Sequence, residues 1–253
     1  MESSTCFDVF RECVNAMMNC QLVHRESAHD KEFHFQNWCQ ERLDFCKLNY
    51  DDPRRNSYPD FTLVNYPEGY EIKGLEYPGR EADFDANSNV PTGVHNGRTI
   101  FYIFGRYQKA RGELEYPLTD LIICHGDFLN ADHDYVHKNR HVKGFGTYGD
   151  IMIRDRKMYV VPTPFHLVSG STGVATLIVP EGYDAPSDFV QVGNLTRVES
   201  AELVAGYSFD LRSNQINAQT IPNPHAGEQH IFKAYRLSTQ PTCLVKLNVA
   251  GEK

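Results

Sequence analysis

The spacing of apolar residues changes once along the chain, at Asp51-Asp52-Pro53, and this change constrains the fold more than any other feature. Before it, apolar residues recur at helical intervals. Cys6, Phe10, Cys13, Val14, Met17, Met18 and Cys20 predict one helix over 5–22. Phe35, Trp38, Cys39, Arg42 and Cys46 form the stripe of a second over 30–47, with Asp30 as its cap. After it come short apolar or alternating runs between turn residues, which predict strands at 61–65, 70–75, 99–104, 118–124, 151–153, 157–161, 174–179, 203–209 and 244–249. Helices followed by a mixed sheet with long loops predict an α/β or α+β domain. We expect one domain over 1–253, with a helical part at 5–47, a core at 48–180 and a C-terminal part at 181–253 whose role the pattern does not reveal.

Two segments, 76–98 and 125–149, carry no clear period and are rich in polar residues and glycine. Long irregular segments in a compact domain are often functional. No apolar run is long enough to span a membrane, and the start of the chain lacks a secretory pattern, so a cytoplasmic protein is expected. The seven cysteines include no Cys-x-x-Cys pair and read as small buried hydrophobes rather than zinc ligands. The net charge of −8 weighs against a nucleic-acid partner, although local charge matters more than the sum. The basic residues Lys138, Arg140, Lys143, Arg154, Arg156 and Lys157 read as a solvated face. Gly144-Phe145-Gly146-Thr147-Tyr148-Gly149 lacks the Gly-Lys-Ser/Thr ending of a phosphate loop, so no nucleotide cofactor is expected.

Chemistry concentrates in Tyr58-Pro59-Asp60 and Glu71-Ile72-Lys73-Gly74, on two predicted strands joined by the turn Tyr66-Pro67-Glu68-Gly69. Side chains alternate along a strand, so Glu71 and Lys73 share a face while Ile72 points into the opposite one. Magnesium takes oxygen ligands. A carboxylate from each strand and the Ile72 carbonyl can supply three, and a lysine alongside can orient water and offset charge in the transition state. A tight turn centred on Pro67-Glu68 predicts that Asp60 pairs with about position 75. That would leave Asp60 about 13 Å from Glu71 unless the strand bends at Pro59 or the register differs.

Pro59-Asp60 followed by Glu71-Ile72-Lys73 resembles the motif of the PD-(D/E)XK nuclease superfamily, type II restriction endonucleases in particular. The resemblance implies a restriction-endonuclease-like fold, α/β, with a central mixed β-sheet flanked by helices. It implies Asp60 and Glu71 as ligands of Mg2+ and Lys73 as the catalytic lysine. It further implies hydrolysis of double-stranded DNA to 5′-phosphates by a homodimer. Two alternatives are a repair or junction-resolving nuclease on the same scaffold and a non-catalytic DNA- or protein-binding module.

Glu32 is a candidate accessory carboxylate, with Glu41 further along the same helix, although a solvated helix face is the plainer reading. Arg80, Asn87, Ser88, Asn89, His95, Asn96 and Arg98, with Arg106 and Lys109 beyond, are candidate DNA contacts by residue type. His125, Asp127, Asp132, His133, Asp134 and His137 could form a second metal site for zinc or manganese, with a polar loop at a sheet edge as the plainer reading.

Overall fold

The computed structural model describes residues 4–25, 33–51, 58–79, 82–87, 90–108, 113–133, 148, 152–154, 157–210, 212–213 and 215–248, with the main chain alone at 87, 152–154, 157–159, 209 and 216. Two helices precede the sheet, α1 (Cys6–Met18) and α2 (His34–Phe45). Eight strands form one mixed sheet: β1 (Phe61–Thr62), β2 (Glu68–Tyr77), β3 (Val94–His95), β4 (Arg98–Gln108), β5 (Leu118–His125), β6 (Ala175–Pro180), β7 (Phe189–Val198) and β8 (Gln229–Leu237). Their order is β7-β8-β6-β5-β4-β2-β1, with β3 paired to the start of β4. β2 and β4 run parallel, as do β5 and β6, and the remaining pairs are antiparallel. This is a central mixed sheet with few helices.

Topology explains the two irregular segments. Parallel neighbours need a crossover of about a dozen residues or more. The stretch between β2 and β4 is one such crossover, and that between β5 and β6 is the other. The first is not wholly irregular: Asp83–Asn87 forms a strand paired with Lys157–Pro162. Asn96 and Gly97, at φ 50° and 75°, make the two-residue turn between β3 and β4, the left-handed geometry that Asn-Gly favours.

The core lies on both faces of the sheet. One face carries Phe61, Tyr70, Ile72, Phe101, Ile103, Leu121, Ile123 and Leu177 beneath Phe7, Phe10, Cys13, Phe35, Trp38 and Cys39 of α1 and α2. The opposite face carries Leu75, Ile100, Tyr102, Phe104, Ile122, Cys124 and Ile178 against Phe84, Phe128 and Val161. The predicted helical stripes are thus largely those that are buried. Met18 and Cys20 are exposed, because α1 ends at Met18 and Cys20 has a positive φ. The second helix starts at His34, not near position 30, and its N-cap is Phe33, which makes no side-chain cap. Gly74 and Gly105 face one another across β2 and β4, and both receive the Phe35 ring of α2. The missing side chain at Gly74 therefore lets helix α2 pack close to the sheet.

All seven cysteines are free, and four of them are buried. Among the described residues no helix is long and apolar enough to cross a membrane.

Candidate active site

Register brings the motif together. Phe61 pairs with Tyr70 and Thr62 with Gly69, so the next pair sets Asp60 opposite Glu71. The expected pairing of Asp60 with about position 75 is therefore corrected. The reversal is centred nearer Asn65-Tyr66, and the Leu63 N–H already closes onto the Glu68 carbonyl at 3.0 Å. Arg98 holds that turn from β4, donating from Nη1 to the carbonyls of Leu63 (2.7 Å) and Tyr66 (2.9 Å). Pro59 sits over Gly69, where any Cβ would lie 2.5 Å from its Cγ. No bend at Pro59 is needed to bring the carboxylates together.

Asp60, Glu71 and Lys73 converge. The Lys73 ammonium donates to Glu71 Oε1 at 2.6 Å, and the Asp60 N–H donates to Glu71 Oε2 at 3.2 Å. The Ile72 N–H, on the β1 side of β2, donates to Asp60 Oδ2 at 2.7 Å. The Lys73 side chain keeps 25% of its exposure and that of Glu71 11%, so the group is partly sheltered but reachable. Burial first, then the negative charge of Glu71, push the Asp60 carboxyl up to about 7, against the pull of Lys73 and the Ile72 N–H. Burial opposes the Lys73 ammonium, but Glu71 and Asp60 outweigh it and hold its pKa above the usual value. Among the described residues two carboxylates share a single ammonium.

An aromatic wall lines the same face. Tyr102 is the β4 partner of Glu71 and meets the Tyr58 hydroxyl at 2.7 Å, while the His95 ring packs edge-on to Tyr58 at 4.8 Å. Burial raises both phenols, so they stay neutral.

The other predicted site residues are placed differently. His95 reaches the wall, and Asn96 lies in the β3–β4 turn with its side-chain nitrogen 3.0 Å from His95 Nε2. Arg98 grips the turn carbonyls, as above. Arg106 forms a buried ion pair with Asp120 at 2.8 Å and lies over the Phe165 ring. In this structure the guanidinium groups of both arginines make contacts within the fold. Glu32, Arg80, Ser88, Asn89 and Lys109 lie outside the described residues, as does the side chain of Asn87.

A second cluster lies where β7 ends and β8 begins. His133, Glu199, Glu228 and His230 each present a ligand atom, all within 4.8 Å of one another, and could hold a metal ion. Of these, sequence reading named His133 alone. Glu228 and His230 are two apart, the spacing that shares a strand face, but nothing local ties them to Glu199 or His133. Of the other residues expected there, His125 accepts the Asp127 N–H and Asp132 accepts from Thr92, while Asp134 and His137 lie outside the described residues. Burial pulls the His125 imidazole down to about 4 and pushes the Asp127 carboxyl up to about 6.

Comparison of the chain with protein-family models, with curated proteins and with solved structures found no match in any of the three. The case for function therefore rests on the sites themselves.

Proposed function

We propose that this chain is a metal-dependent nuclease that hydrolyses phosphodiester bonds. The observation that supports this most strongly is the meeting of Asp60 and Glu71 across paired strands, with Lys73 on the same face 2.6 Å from Glu71. Within that class the best-supported member is a type II restriction endonuclease, cutting both strands of double-stranded DNA to 5′-phosphates.

The donor set suits Mg2+. Two carboxylates offer hard oxygen ligands, and a divalent cation would offset the burial and the Glu71 charge that hold Asp60 up at about 7. The Ile72 carbonyl leaves β2 on the same side as the N–H that reaches Asp60, so it can add a third oxygen. When bound, the ion supplies Lewis-acid polarisation of the phosphate and lowers the pKa of water. The chain's own groups do the rest. Asp60 and Glu71 would hold the ion and so set where the scissile phosphate can sit. Lys73, anchored by Glu71, orients the attacking water and offsets negative charge that grows in the transition state. Tyr58 and Tyr102 stay neutral and wall off the carboxylates. Duplex recognition sites are commonly two-fold symmetric, which favours a homodimer.

Plasmid DNA incubated with the protein and Mg2+ should give discrete bands. Lys73→Ala should abolish cleavage while leaving duplex binding in Ca2+ intact. A smear or nicking of any duplex would move the chain to the repair nucleases. No cleavage with any divalent metal would leave a binding module.

A further inference from the structure

We infer that His133, Glu199, Glu228 and His230 form a zinc site, separate from the carboxylate pair at Asp60 and Glu71 and independent of the nuclease reading. The ligand types carry the first part of this inference. Two imidazole nitrogens and two carboxylates suit Zn2+ and similar first-row ions, whereas magnesium takes oxygen. Four protein ligands, with no position kept open, are the pattern of a structural ion rather than a catalytic one.

The geometry carries the second part. His133 Nε2 and His230 Nε2 both point at one atom, Glu199 Oε1, the latter from 2.8 Å. The Glu199 side chain is fully buried. Zn–N and Zn–O bonds of about 2.0–2.2 Å put tetrahedral ligand atoms about 3.3–3.6 Å apart. The four atoms, within 4.8 Å of one another, straddle that spacing: the widest pair has to close by about 1.2–1.5 Å, and the His230–Glu199 pair, at 2.8 Å, has to open by about 0.5–0.8 Å. Glu228, whose side chain is 48% exposed, is the ligand with the most freedom to adjust.

Supporting contacts orient the ligands, as they do around bound metals generally. Asn223 donates to Glu199 Oε2 at 2.9 Å, leaving Oε1 to the histidines. His225 stacks on His133 with ring centroids 3.9 Å apart and planes 7° from parallel, and its Nδ1 lies 2.9 Å from Glu228 Oε2. Three ligands sit on a paired strand end: the Glu199 N–H donates to the Glu228 carbonyl, and the Gly227 N–H to that of Glu199, both at 3.0 Å. The fourth, His133, follows β5, on the other side of β6 in the sheet. An ion here would clamp the chain leaving β5 to the outer strands β7 and β8. Asp132, next to His133, accepts from Thr92 Oγ1 at 2.7 Å, which extends the clamp to the segment entering β3.

The test is equilibrium dialysis against Zn2+ in excess Mg2+, with bound zinc counted by mass spectrometry. The wild-type chain should retain one zinc. His133→Ala/His230→Ala should retain none, and Asp60→Asn/Glu71→Gln should retain it. Cobalt substitution should give visible absorption bands that the histidine variant lacks. Should the double histidine variant fail to fold, Glu228→Gln, on the exposed rim, should weaken zinc affinity at least about tenfold. A wild-type chain free of zinc after dialysis, or histidine and Glu228→Gln variants binding as tightly as wild type, overturns the assignment.

Discussion

Asp60→Asn tests the charge balance of the candidate site through stability alone, without an assay of activity. Asparagine keeps an oxygen for the Ile72 N–H, which lies 2.7 Å from Asp60 Oδ2, and removes one carboxylate from beside Glu71. In the metal-free protein the Asp60 carboxyl is raised from 3.8 to about 7, so the native state holds its proton more tightly than the unfolded chain. The stabilisation this provides is complete below about 3.8 and is lost as pH rises through about 7. At about 1.36 kcal/mol per pKa unit, the rise sets an upper limit of about 4 kcal/mol. Partial solvation of a site whose lysine is 25% exposed brings the expected effect to about 1–3 kcal/mol. Urea unfolding in EDTA between pH 4 and 8 should show the variant gaining on wild type as pH rises, by that amount at pH 8. His125 acts in the opposite sense, since an imidazole lowered to about 4 costs stability as pH falls below its usual 6.5. That contribution is common to both proteins and cancels in the difference. Adding Mg2+ should stabilise wild type and not the variant. A pH-independent difference, or a variant less stable than wild type at pH 8 without metal, would refute the reasoning.

Two further outcomes follow from the fold. Arg98→Ala should destabilise the protein by about 1–3 kcal/mol, because two carbonyls of the β1–β2 turn lose a charged donor. It should slow cleavage without changing which sequence is cut; a changed sequence preference in the digest would return Arg98 to DNA contact. Gly105→Ala would set a Cβ 2.2 Å from Phe35 Cζ and should cost about 1–3 kcal/mol in denaturant unfolding. Phe35→Leu should recover part of that loss if the clash is its cause, and no recovery would refute this.

Much of the sheet was legible from alternation and apolar runs, but β7 and β8 were not. β7 is half-exposed and broken by a bulge between Gln191 and Gly193, so its period of two is lost. The hairpin of Glu202–Asp210 with Gln215–Pro222 was read only in its first strand, because most side chains of the second lie at the surface and give no apolar signal.

Local chemistry alone settled that Glu71 and Lys73 share a face, because strand geometry fixes the direction of every second side chain. It likewise settled which sides of α1 and α2 are buried. Tertiary structure decided what faces Glu71. The β1–β2 register depends on a turn held by Arg98 and on Pro59 seated against Gly69, and neither is visible in the run of residues between the two strands. It also decided that Arg98 meets the carbonyls of Leu63 and Tyr66, that Arg106 meets Asp120, and that His133 meets Glu199 and His230. Those contacts join residues far apart along the chain, and only the ordering of strands in the sheet brings them within reach.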